Sequence, residues 1–237
     1  MRIILITGVG QRLGQYLAQH FLTHGDAVIG TYRTERDSIA DLRAQGADLY
    51  QVDFYHQQQT QGFINSVLDK YTVIDCLVHN ASDWSPDSKT IDYAISHDVL
   101  QRMMTIHVEV PYQLNLAFEP LLQAAEGTAD IIHITDYVAS KGSKKHIAYA
   151  ASKAAMENLT LSFAQRCAPN VKVNSIAPAL LAFNEHDDEA YKAKARAKSL
   201  MQREGSFQEA LDATLMLMSS NYITGRVMHL DGGRHLN

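Results

Sequence analysis

The stretch ITGVGQRLGQYLAQHF, residues 6–21, joins a short apolar run to an amphipathic helical pattern through closely spaced glycines. A glycine-rich turn between a strand and a helix lets backbone N–H groups approach a pyrophosphate at the N-terminus of the helix. Gly8, Gly10 and Gly14 form this turn, and Leu13 lies within it. The order of strand, turn and helix strengthens a glycine motif that is weak by itself, and it predicts a dinucleotide site here.

The remainder of the chain repeats this order of a short apolar run followed by a helical or loop stretch. Seven runs are predicted strands: IILIT (3–7), AVIGTY (27–32), LYQVDF (49–54), DCLVHN (75–80), DIIHIT (130–135), KVNSIA (172–177) and RVMHL (226–230). Their apolar residues alternate little, as expected for strands that are covered on both faces. We therefore predict a single-domain α/β fold over residues 1–237. It is a Rossmann-type, doubly wound parallel sheet with helices on both faces.

The composition argues against several classes of protein. The 237 residues carry a formal net charge of −5 with scattered Lys and Arg, so we expect neither nucleic acid nor a membrane surface as a partner. Cys76 and Cys167 lie in apolar stretches, which predicts buried reduced thiols rather than a disulfide. The first apolar run is too short to span a membrane, and the histidines form no zinc pattern. We expect a cytoplasmic protein without a bound metal.

The least regular part of the chain is residues 179–205, ALLAFNEHDDEAYKAKARAKSLMQREG, which follows the sixth predicted strand. This segment is polar and prone to form a helix. We predict that it covers the substrate, and the alternative is a plain surface helix. Its acidic cluster NEHDDE, residues 184–189, holds one histidine and adjacent acids. That composition predicts the start of a helix rather than a metal site.

The end of the second predicted strand bears on the choice of cofactor. Enzymes that use NAD usually carry an acid here for the ribose 2′-hydroxyl, whereas an arginine accommodates a 2′-phosphate. Tyr32 is followed by Arg33 and Thr34, and Glu35 comes later and is expected to point away. This order favours NADPH.

Asp53, with Phe54 beside it, stands at the end of the third predicted strand. Its carboxylate could accept a hydrogen bond from the adenine amino group. The alternative is an ordinary helix cap.

Several motifs together resemble those of the short-chain dehydrogenases/reductases over nearly the whole chain. They are TGVGQRLG (7–14), VDF (52–54), HNAS (79–82), YAASK (149–153), VNSIAP (173–178) and ITGRVMHLDGG (223–233). The resemblance implies that Tyr149 is the proton donor and that Lys153 lowers the pKa of Tyr149 and holds the nicotinamide ribose. It also implies a cofactor site lined by Asn80, Ala81, Ser82, Thr135, Pro178 and Leu180.

Three departures from the general family pattern resemble the pteridine reductases. Arg12 replaces a glycine of the turn, Asp136 stands where the catalytic serine is usual, and Trp84 follows the NAS motif. The resemblance implies that Arg12 touches both the cofactor phosphate and the pterin. Asp136 would then partner the catalytic tyrosine, and Trp84 would stack on the pterin ring.

The same resemblance adds Ser82 and Leu181 to the substrate site. Within this branch, DIIHITDYV, KHIAYAASKAAM, VNSIAPALLAFNEHDD and LDGGRHL are similar to the bacterial dihydromonapterin reductases.

The acid at position 136 suits a C=N bond better than a ketone. Ketone reduction needs a donor to the developing alkoxide, whereas reduction of a dihydropterin puts hydride on C6 and a proton on N5. The Asp136 carboxylate could accept from the amino-pyrimidinone edge, or share a proton with Tyr149 if burial raises its pKa. The proton for N5 could come through water or from Tyr149. Tyr149 and Lys153 share a helix face, and we expect the nearby ammonium to lower the pKa of the phenol.

His107 occupies the place where the wider family has an Asn that kinks a helix and helps to hold a relay water. A histidine can also hold water and pass protons near neutral pH, so His107 is a candidate catalytic residue. The alternative is a histidine that only packs beneath the site. The family resemblance further implies a homotetramer that packs through residues 103–122 and 149–167.

The leading hypothesis is therefore NADPH-dependent reduction of a 7,8-dihydropterin. One alternative is a ketone or oxoacyl reductase of the same fold, against which Arg12, Trp84 and Asp136 argue. The other is a non-catalytic NADP-binding regulator, which would need neither Tyr149 nor Lys153.

Overall fold

The sheet expected from the apolar runs is present in the computed structural model, which describes residues 1–87 and 92–236. Within these residues, seven parallel strands form one sheet in the order β3-β2-β1-β4-β5-β6-β7. The strands are β1 Ile3–Ile6, β2 Ala27–Tyr32, β3 Asp48–Gln51, β4 Cys76–His79, β5 Ala129–Ile134, β6 Val171–Pro178 and β7 Val227–Leu230. The predicted fold class is confirmed. The third strand is shorter than predicted, because it ends at Gln51 and leaves Asp53 and Phe54 in the loop beyond the sheet.

Helices cover both faces of the sheet. In chain order they are α1 Arg12–Thr23, α2 Asp37–Ala44, α3 Gln57–Lys70, α4 Tyr93–Met104, α5 Val110–Gln123, α6 Val138–Lys141, α7 Ile147–Cys167, α8 Glu189–Arg196 and α9 Phe207–Ser219. A π-helical turn, Thr105–Glu109, joins α4 to α5, and a 3-10 turn, Arg234–Leu236, follows β7. Side chains of α3, α5 and α7 fill the core on one face, and those of α1, α2 and α9 fill the core on the other.

The strand order reverses at β1, which lies between β2 and β4. In open parallel sheets, ligands bind beyond the carboxyl ends of the strands at such a point, because the loops of the two halves separate there. The turn that follows β1 contains Gly8, Gly10 and Gly14, so the glycine motif lies at this crevice.

The glycine turn tolerates no side chain at two of its positions. Gly8 has a φ of +75°, which is the left-handed region. A Cβ atom on Gly14 would lie 2.1 Å from the carbonyl oxygen of Gly8 and 2.4 Å from Nδ2 of Asn80. These contacts let α1 approach the end of β1 closely.

The predictions for the two cysteines and for the acidic cluster are confirmed. Cys76 and Cys167 are buried and free. The Asp188 side chain caps α8 by accepting from the backbone N–H of Tyr191, so the acidic cluster is the start of a helix. Among the described residues, no His, Cys, Asp and Glu side chains gather in a group that could hold a metal ion. No helix in that part of the chain has the length and apolar character needed to cross a membrane.

Candidate active site

A cleft of about 420 Å³ opens beyond the carboxyl ends of β1, β2, β4, β5 and β6. It brings together most of the residues predicted from the sequence. These are Gly8, Gly10, Arg12, Leu13, Tyr32, Arg33, Thr34, Asp53, Phe54, Asn80, Ala81, Ser82, Thr135, Asp136, Tyr149, Lys153, Pro178, Leu180 and Leu181. Gly14, Trp84 and His107 do not line the cleft: Gly14 is packed behind the turn, Trp84 lies outside and His107 lies beneath the floor.

The cleft has further lining residues that were not individual candidates, although Ala179 and Ala182 belong to the segment predicted to cover the substrate. These further residues are Gln11, Thr31, Arg36, Val52, Tyr55, Asp83, Ile106, Ile134, Ala179, Ala182 and Phe207. Tyr55 and Asp83 directly follow predicted residues at strand ends, and that position was the one signal that could have found them. Phe207 belongs to α9, so only the tertiary fold brings it here.

The glycine turn fits the pyrophosphate of a dinucleotide. Gln11 precedes α1 without capping it through its side chain, and the first turn of α1 contains no acidic residue. The first N–H groups of a helix have no partner within the helix and favour an anion. Asn80 stabilises the turn, because its Nδ2 donates to the carbonyl oxygens of Thr7 and Gly8 at 3.0 and 2.9 Å. Its amide therefore fixes the shape of the glycine turn.

Arg12 connects the glycine turn to the segment after β6. Its φ of 53° is left-handed. Its Nη1 donates to Oδ1 of Asn184 at 2.9 Å, and its Nη2 donates to the carbonyl oxygen of Ala182 at 2.8 Å. The guanidinium thus bonds to the segment that follows β6. Its contact with a cofactor phosphate and with a pterin stays a prediction.

Arg33 lines the cleft after β2 within a charged cluster. Its Nη1 is 3.8 Å from Oδ2 of Asp83, which also accepts from Arg102 Nη2 at 2.6 Å and from the hydroxyl of Tyr55 at 3.1 Å. Both guanidinium groups lie over the Tyr55 ring. The sequence did not predict Arg102, which is far along the chain on α4. Glu35 pairs with Arg43 at 3.5 Å and does not line the cleft, whereas Arg33 and Arg36 both do.

Asp53 forms a turn in the loop beyond β3. Its Oδ1 accepts from the backbone N–H of Tyr55 at 3.1 Å, and α3 begins only after His56. The carboxylate therefore does not cap that helix, while Asp53 and Phe54 both line the cleft. An adenine contact for Asp53 stays a prediction.

Tyr149, Lys153 and Asp136 meet at the floor of the cleft. The Tyr149 hydroxyl donates to Oδ2 of Asp136 at 3.0 Å, and Oδ1 of Asp136 accepts from the backbone N–H of Val138 at 3.0 Å. Lys153 is buried, its Nζ donates to the carbonyl oxygen of Ile134 at 2.8 Å, and it lies 5.7 Å from the centre of the Tyr149 ring. Their positions one turn apart on α7 place the phenol and the ammonium on one face.

Burial changes the proton affinities of this group. It lowers the pKa of Lys153 to about 8, although the nearby Asp136 carboxylate acts in the opposite direction. Burial raises the pKa of Asp136 against the Val138 hydrogen bond and the Lys153 charge. Burial and the Asp136 charge also raise the pKa of Tyr149 well above its usual value.

The pKa of Tyr149 is therefore raised, whereas the sequence predicted that the Lys153 ammonium would lower it. The causes are the loss of solvent around the phenol and the acid bonded to it. Tyr149 is a neutral phenol at physiological pH, so it holds a proton that it can donate.

His107 lies within the π-helical turn and is fully buried. Its Nε2 is 2.8 Å from Oγ of Ser82, and its Nδ1 is 2.8 Å from Oγ of Ser152. Burial, helped by the Lys153 charge, lowers the pKa of His107 far below neutrality. The ring therefore does not titrate near neutral pH, and a relay that depends on its ionisation does not fit this position.

Trp84 lies in the loop after β4, as predicted, and its side chain is 64% exposed. Its ring packs edge-on against His146 with the ring centres 5.1 Å apart. The backbone N–H of Trp84 donates to Oδ1 of Asp83 at 2.9 Å. Asp83 also belongs to the charged cluster around Arg33. An exposed aromatic ring at the rim is available to a ligand, and stacking on a pterin stays a prediction.

Comparison with known proteins gives three findings. A family model described as enoyl-(acyl carrier protein) reductase matches residues 8–235. The dihydromonapterin reductase of Klebsiella pneumoniae subsp. pneumoniae is 48% identical over 99% of this chain and 97% of its own length. The dihydromonapterin reductase of Escherichia coli strain K12 is 48% identical over 98% of this chain and 96% of its own length. The crystal structure of FolM alternative dihydrofolate reductase 1 from Brucella canis, complexed with NADP, superimposes with a TM-score of 0.86 at 25% identity over 100% of this chain and 94% of that one.

Proposed function

The chain belongs to the short-chain dehydrogenase/reductase family, and from this premise we propose that it is an NADPH-dependent reductase of 7,8-dihydropterins. Curated relatives of 48% identity over nearly the whole chain are dihydromonapterin reductases, and a solved relative is an alternative dihydrofolate reductase. The preferred substrate is dihydromonapterin, which is reduced to tetrahydromonapterin, and weak reduction of dihydrofolate accompanies this activity.

One observation carries the proposal: the Asp136 carboxylate accepts the hydrogen bond of the Tyr149 hydroxyl at 3.0 Å. A serine in that place would supply a second hydroxyl to a developing alkoxide, which a ketone needs. A carboxylate supplies an acceptor and a negative charge, which suit the N–H donors and the protonated nitrogen of a reduced pterin. The acid is partly buried, so its charge acts at reduced screening.

Each residue of the site has a separate role in the proposed reaction. When bound, NADPH supplies a hydride, which a dihydropterin accepts at C6. Tyr149 holds its proton toward Asp136, and the pair can deliver or share a proton at the ring nitrogen N5. Lys153 holds positive charge beside the phenol and is fixed by the Ile134 carbonyl, and its ammonium would hold a ribose hydroxyl of the cofactor.

The preference for NADPH over NADH rests on the charge at the ribose end. Arg33 and Arg36 are exposed cations that line the cleft after β2. Arg33 and Arg102 both contact the carboxylate of Asp83. Two guanidinium groups that share one carboxylate leave a net positive charge for a 2′-phosphate. The cluster thus supports a dinucleotide that carries this extra phosphate.

Residues 179–205 are proposed to cover the substrate. Ala179, Leu180, Leu181 and Ala182 line the cleft, and Arg12 bonds to this segment twice. We further propose a homotetramer in the cytoplasm. Tyr112 on α5 and Leu161 on α7 are exposed apolar side chains on the two helices expected to meet a partner, and free buried thiols suit a reducing compartment.

The test is a side-by-side assay of NADPH oxidation with dihydromonapterin, dihydrofolate and a keto ester, each repeated with NADH. The proposal requires that dihydromonapterin has the highest kcat/KM, that dihydrofolate is turned over slowly and that NADH is a poor cofactor. A kcat/KM for the keto ester above that for every dihydropterin would instead identify a ketone reductase. No turnover with any of them would favour a regulator.

A further inference from the structure

A chain of hydrogen bonds leads from the floor of the cleft into the core. The Ser82 hydroxyl, which lines the cleft, is 2.8 Å from Nε2 of His107. Nδ1 of the same ring is 2.8 Å from the Ser152 hydroxyl. The Ser152 hydroxyl in turn donates to the carbonyl oxygen of Tyr149 at 2.8 Å. Ser152 and His107 are both fully buried.

The positions of the protons in this chain follow from the partners. The Ser152 hydroxyl oxygen lies 2.8 Å from the carbonyl oxygen of Tyr149, and a hydrogen bond between them needs one proton. The carbonyl carries no proton, so the single hydroxyl proton of Ser152 points to it. The Ser152 oxygen can therefore only accept from His107. The proton on the ring must then be on Nδ1, and in a neutral ring Nε2 is left as an acceptor.

The ring is neutral because of its surroundings. It has no exposed surface, it faces the edge of the Tyr149 ring, and the Lys153 ammonium lies nearby. A second ring proton would place two positive charges together in the core. Because Nε2 is an acceptor, the Ser82 hydroxyl donates its one proton to His107. Toward the cleft, the Ser82 oxygen can then only accept a hydrogen bond.

We propose that His107 is a positioning residue that holds Ser82 as an obligate hydrogen-bond acceptor toward the ligand, so that the site selects a ligand with an N–H group there. The inference rests on the proposed function and adds the basis of its selectivity, because the 2-amino group of a pterin presents such a donor. A 2-oxo analogue of the same ring, a lumazine, presents an acceptor at that edge and leaves two acceptors facing each other.

The first test examines the ring without any substrate. In a long-range ¹⁵N–¹H correlation spectrum of the wild-type protein, the His107 ring, assigned by its loss in His107→Leu, should carry its proton on Nδ1. The signal should not titrate between about pH 5 and pH 9, where an ordinary histidine does. A proton on Nε2, or titration in this range, would overturn the proposal.

The second test measures selectivity as the ratio of kcat/KM for a 7,8-dihydropterin to that for the matching 7,8-dihydrolumazine. The wild type should favour the pterin by about tenfold or more, and the ratio should fall to within about threefold in Ser82→Ala and in His107→Leu. Ser152→Ala should lower the ratio as well, because without the Ser152 oxygen the ring is free to place its proton on Nε2. Ser152 does not line the cleft, so a purely local loss of contact would not have this effect.

Ser175→Ala is the matched control, because Ser175 is an equally buried serine whose hydroxyl contacts Thr160 rather than His107. It should change neither the spectrum nor the ratio. A ratio that stays at the wild-type value in Ser82→Ala and Ser152→Ala would overturn the inference even if pterins are substrates. Failure of the wild type to reduce either compound would overturn the proposed function, and the spectrum would then decide the role of His107.

Discussion

The hydroxyl of Tyr149 donates a hydrogen bond of 3.0 Å to Oδ2 of Asp136. Burial and this contact together raise the pKa of the phenol, which makes it a weaker acid than in solution. A carboxylate bonded to a phenol stabilises the neutral phenol, because the phenolate would place two negative charges together. The pair therefore holds one proton at the floor of the cleft, where a ring nitrogen of the substrate is proposed to lie.

Arg33 is expected to decide the choice between the two nicotinamide cofactors. Arg33→Ala should raise the KM for NADPH by about ten- to hundredfold, the loss typical of one charge-assisted contact, and leave the KM for NADH nearly unchanged. Arg102→Ala should also raise the KM for NADPH, but by less than Arg33→Ala does, because Arg102 is held by Asp83 at 2.6 Å. Arg166→Ala, which breaks an outer pair with Glu119, is the control. Equal weakening toward NADPH and NADH would disprove the role of Arg33.

Trp84 is expected to contact the substrate ring. Trp84→Ala should raise the KM for the dihydropterin and spare NADPH binding. Because the chain has a single tryptophan, emission from the wild-type NADPH complex should fall when methotrexate, a pterin analogue, is added. Tyr222→Ala, at a side chain that is 98% exposed, controls for loss of a surface aromatic ring. Unchanged emission together with an unchanged KM would place Trp84 away from the ligand.

Gly14 is expected to be required for the fold of the turn. Gly14→Ala puts a methyl group 2.1 Å from the Gly8 carbonyl oxygen, so backbone must move. Such overpacking costs about 1–3 kcal/mol or more, which lowers the melting temperature by at least about 3 °C in a chain of this size. Gly62→Ala, within α3 and with no atom within 4 Å of the added carbon, should leave the melting temperature unchanged or raise it. Similar changes in the two variants would contradict the packing argument.

The pH dependence of kcat/KM for NADPH should report Lys153, because this ratio follows ionisations of the free enzyme. The pKa of Lys153 is lowered to about 8, and the ammonium is the form that holds the ribose. Activity should therefore be present below that pH and fall as the pH rises through it. Asp136→Asn removes the charge that raises the pKa of Lys153, so the falling limb should move to lower pH. Glu119→Gln, on the outer surface, is the control and should leave the pH of the falling limb unchanged. A falling limb that moves to higher pH in Asp136→Asn would refute the assignment to Lys153.

The fold was predictable because its signals are local. Each strand is a short apolar run, and the glycine turn is contained in residues 6–21. The exception at β3 has a local cause, since Asp53 turns the chain by accepting from the Tyr55 N–H. Residues that follow the strand ends were predictable as cleft residues. In a parallel sheet, the carboxyl ends of all strands lie at the same edge of the sheet.

The interactions between distant residues were not predictable in this way. Arg102 reaches Asp83 only through the packing of α4, and the Ser82–His107–Ser152 chain joins three separate elements. The pKa of Tyr149 was predicted in the wrong direction for a related reason. The sequence shows that a lysine lies one turn away, but it does not show how much solvent the phenol loses.

The carboxylate of Asp136 is proposed to take part in the chemistry of pterin reduction. The most direct measurement is the kcat/KM for a dihydropterin in Asp136→Asn, with NADPH affinity measured on the same protein and Tyr149→Phe as the reference for loss of the proton donor. Asn keeps the shape of the side chain and removes its charge, so packing and proton handling are separated. Asp136→Ser, which restores the residue of the general family, tests whether a hydroxyl can replace the acid.

We expect Asp136→Asn and Asp136→Ser to lose about a hundredfold or more in kcat/KM for the dihydropterin, as is typical when one catalytic proton-sharing group is removed, while NADPH affinity stays near that of the wild type. A dihydropterin kcat/KM in Asp136→Asn within about threefold of the wild type would contradict the claim, because a difference that small corresponds to an energy near RT.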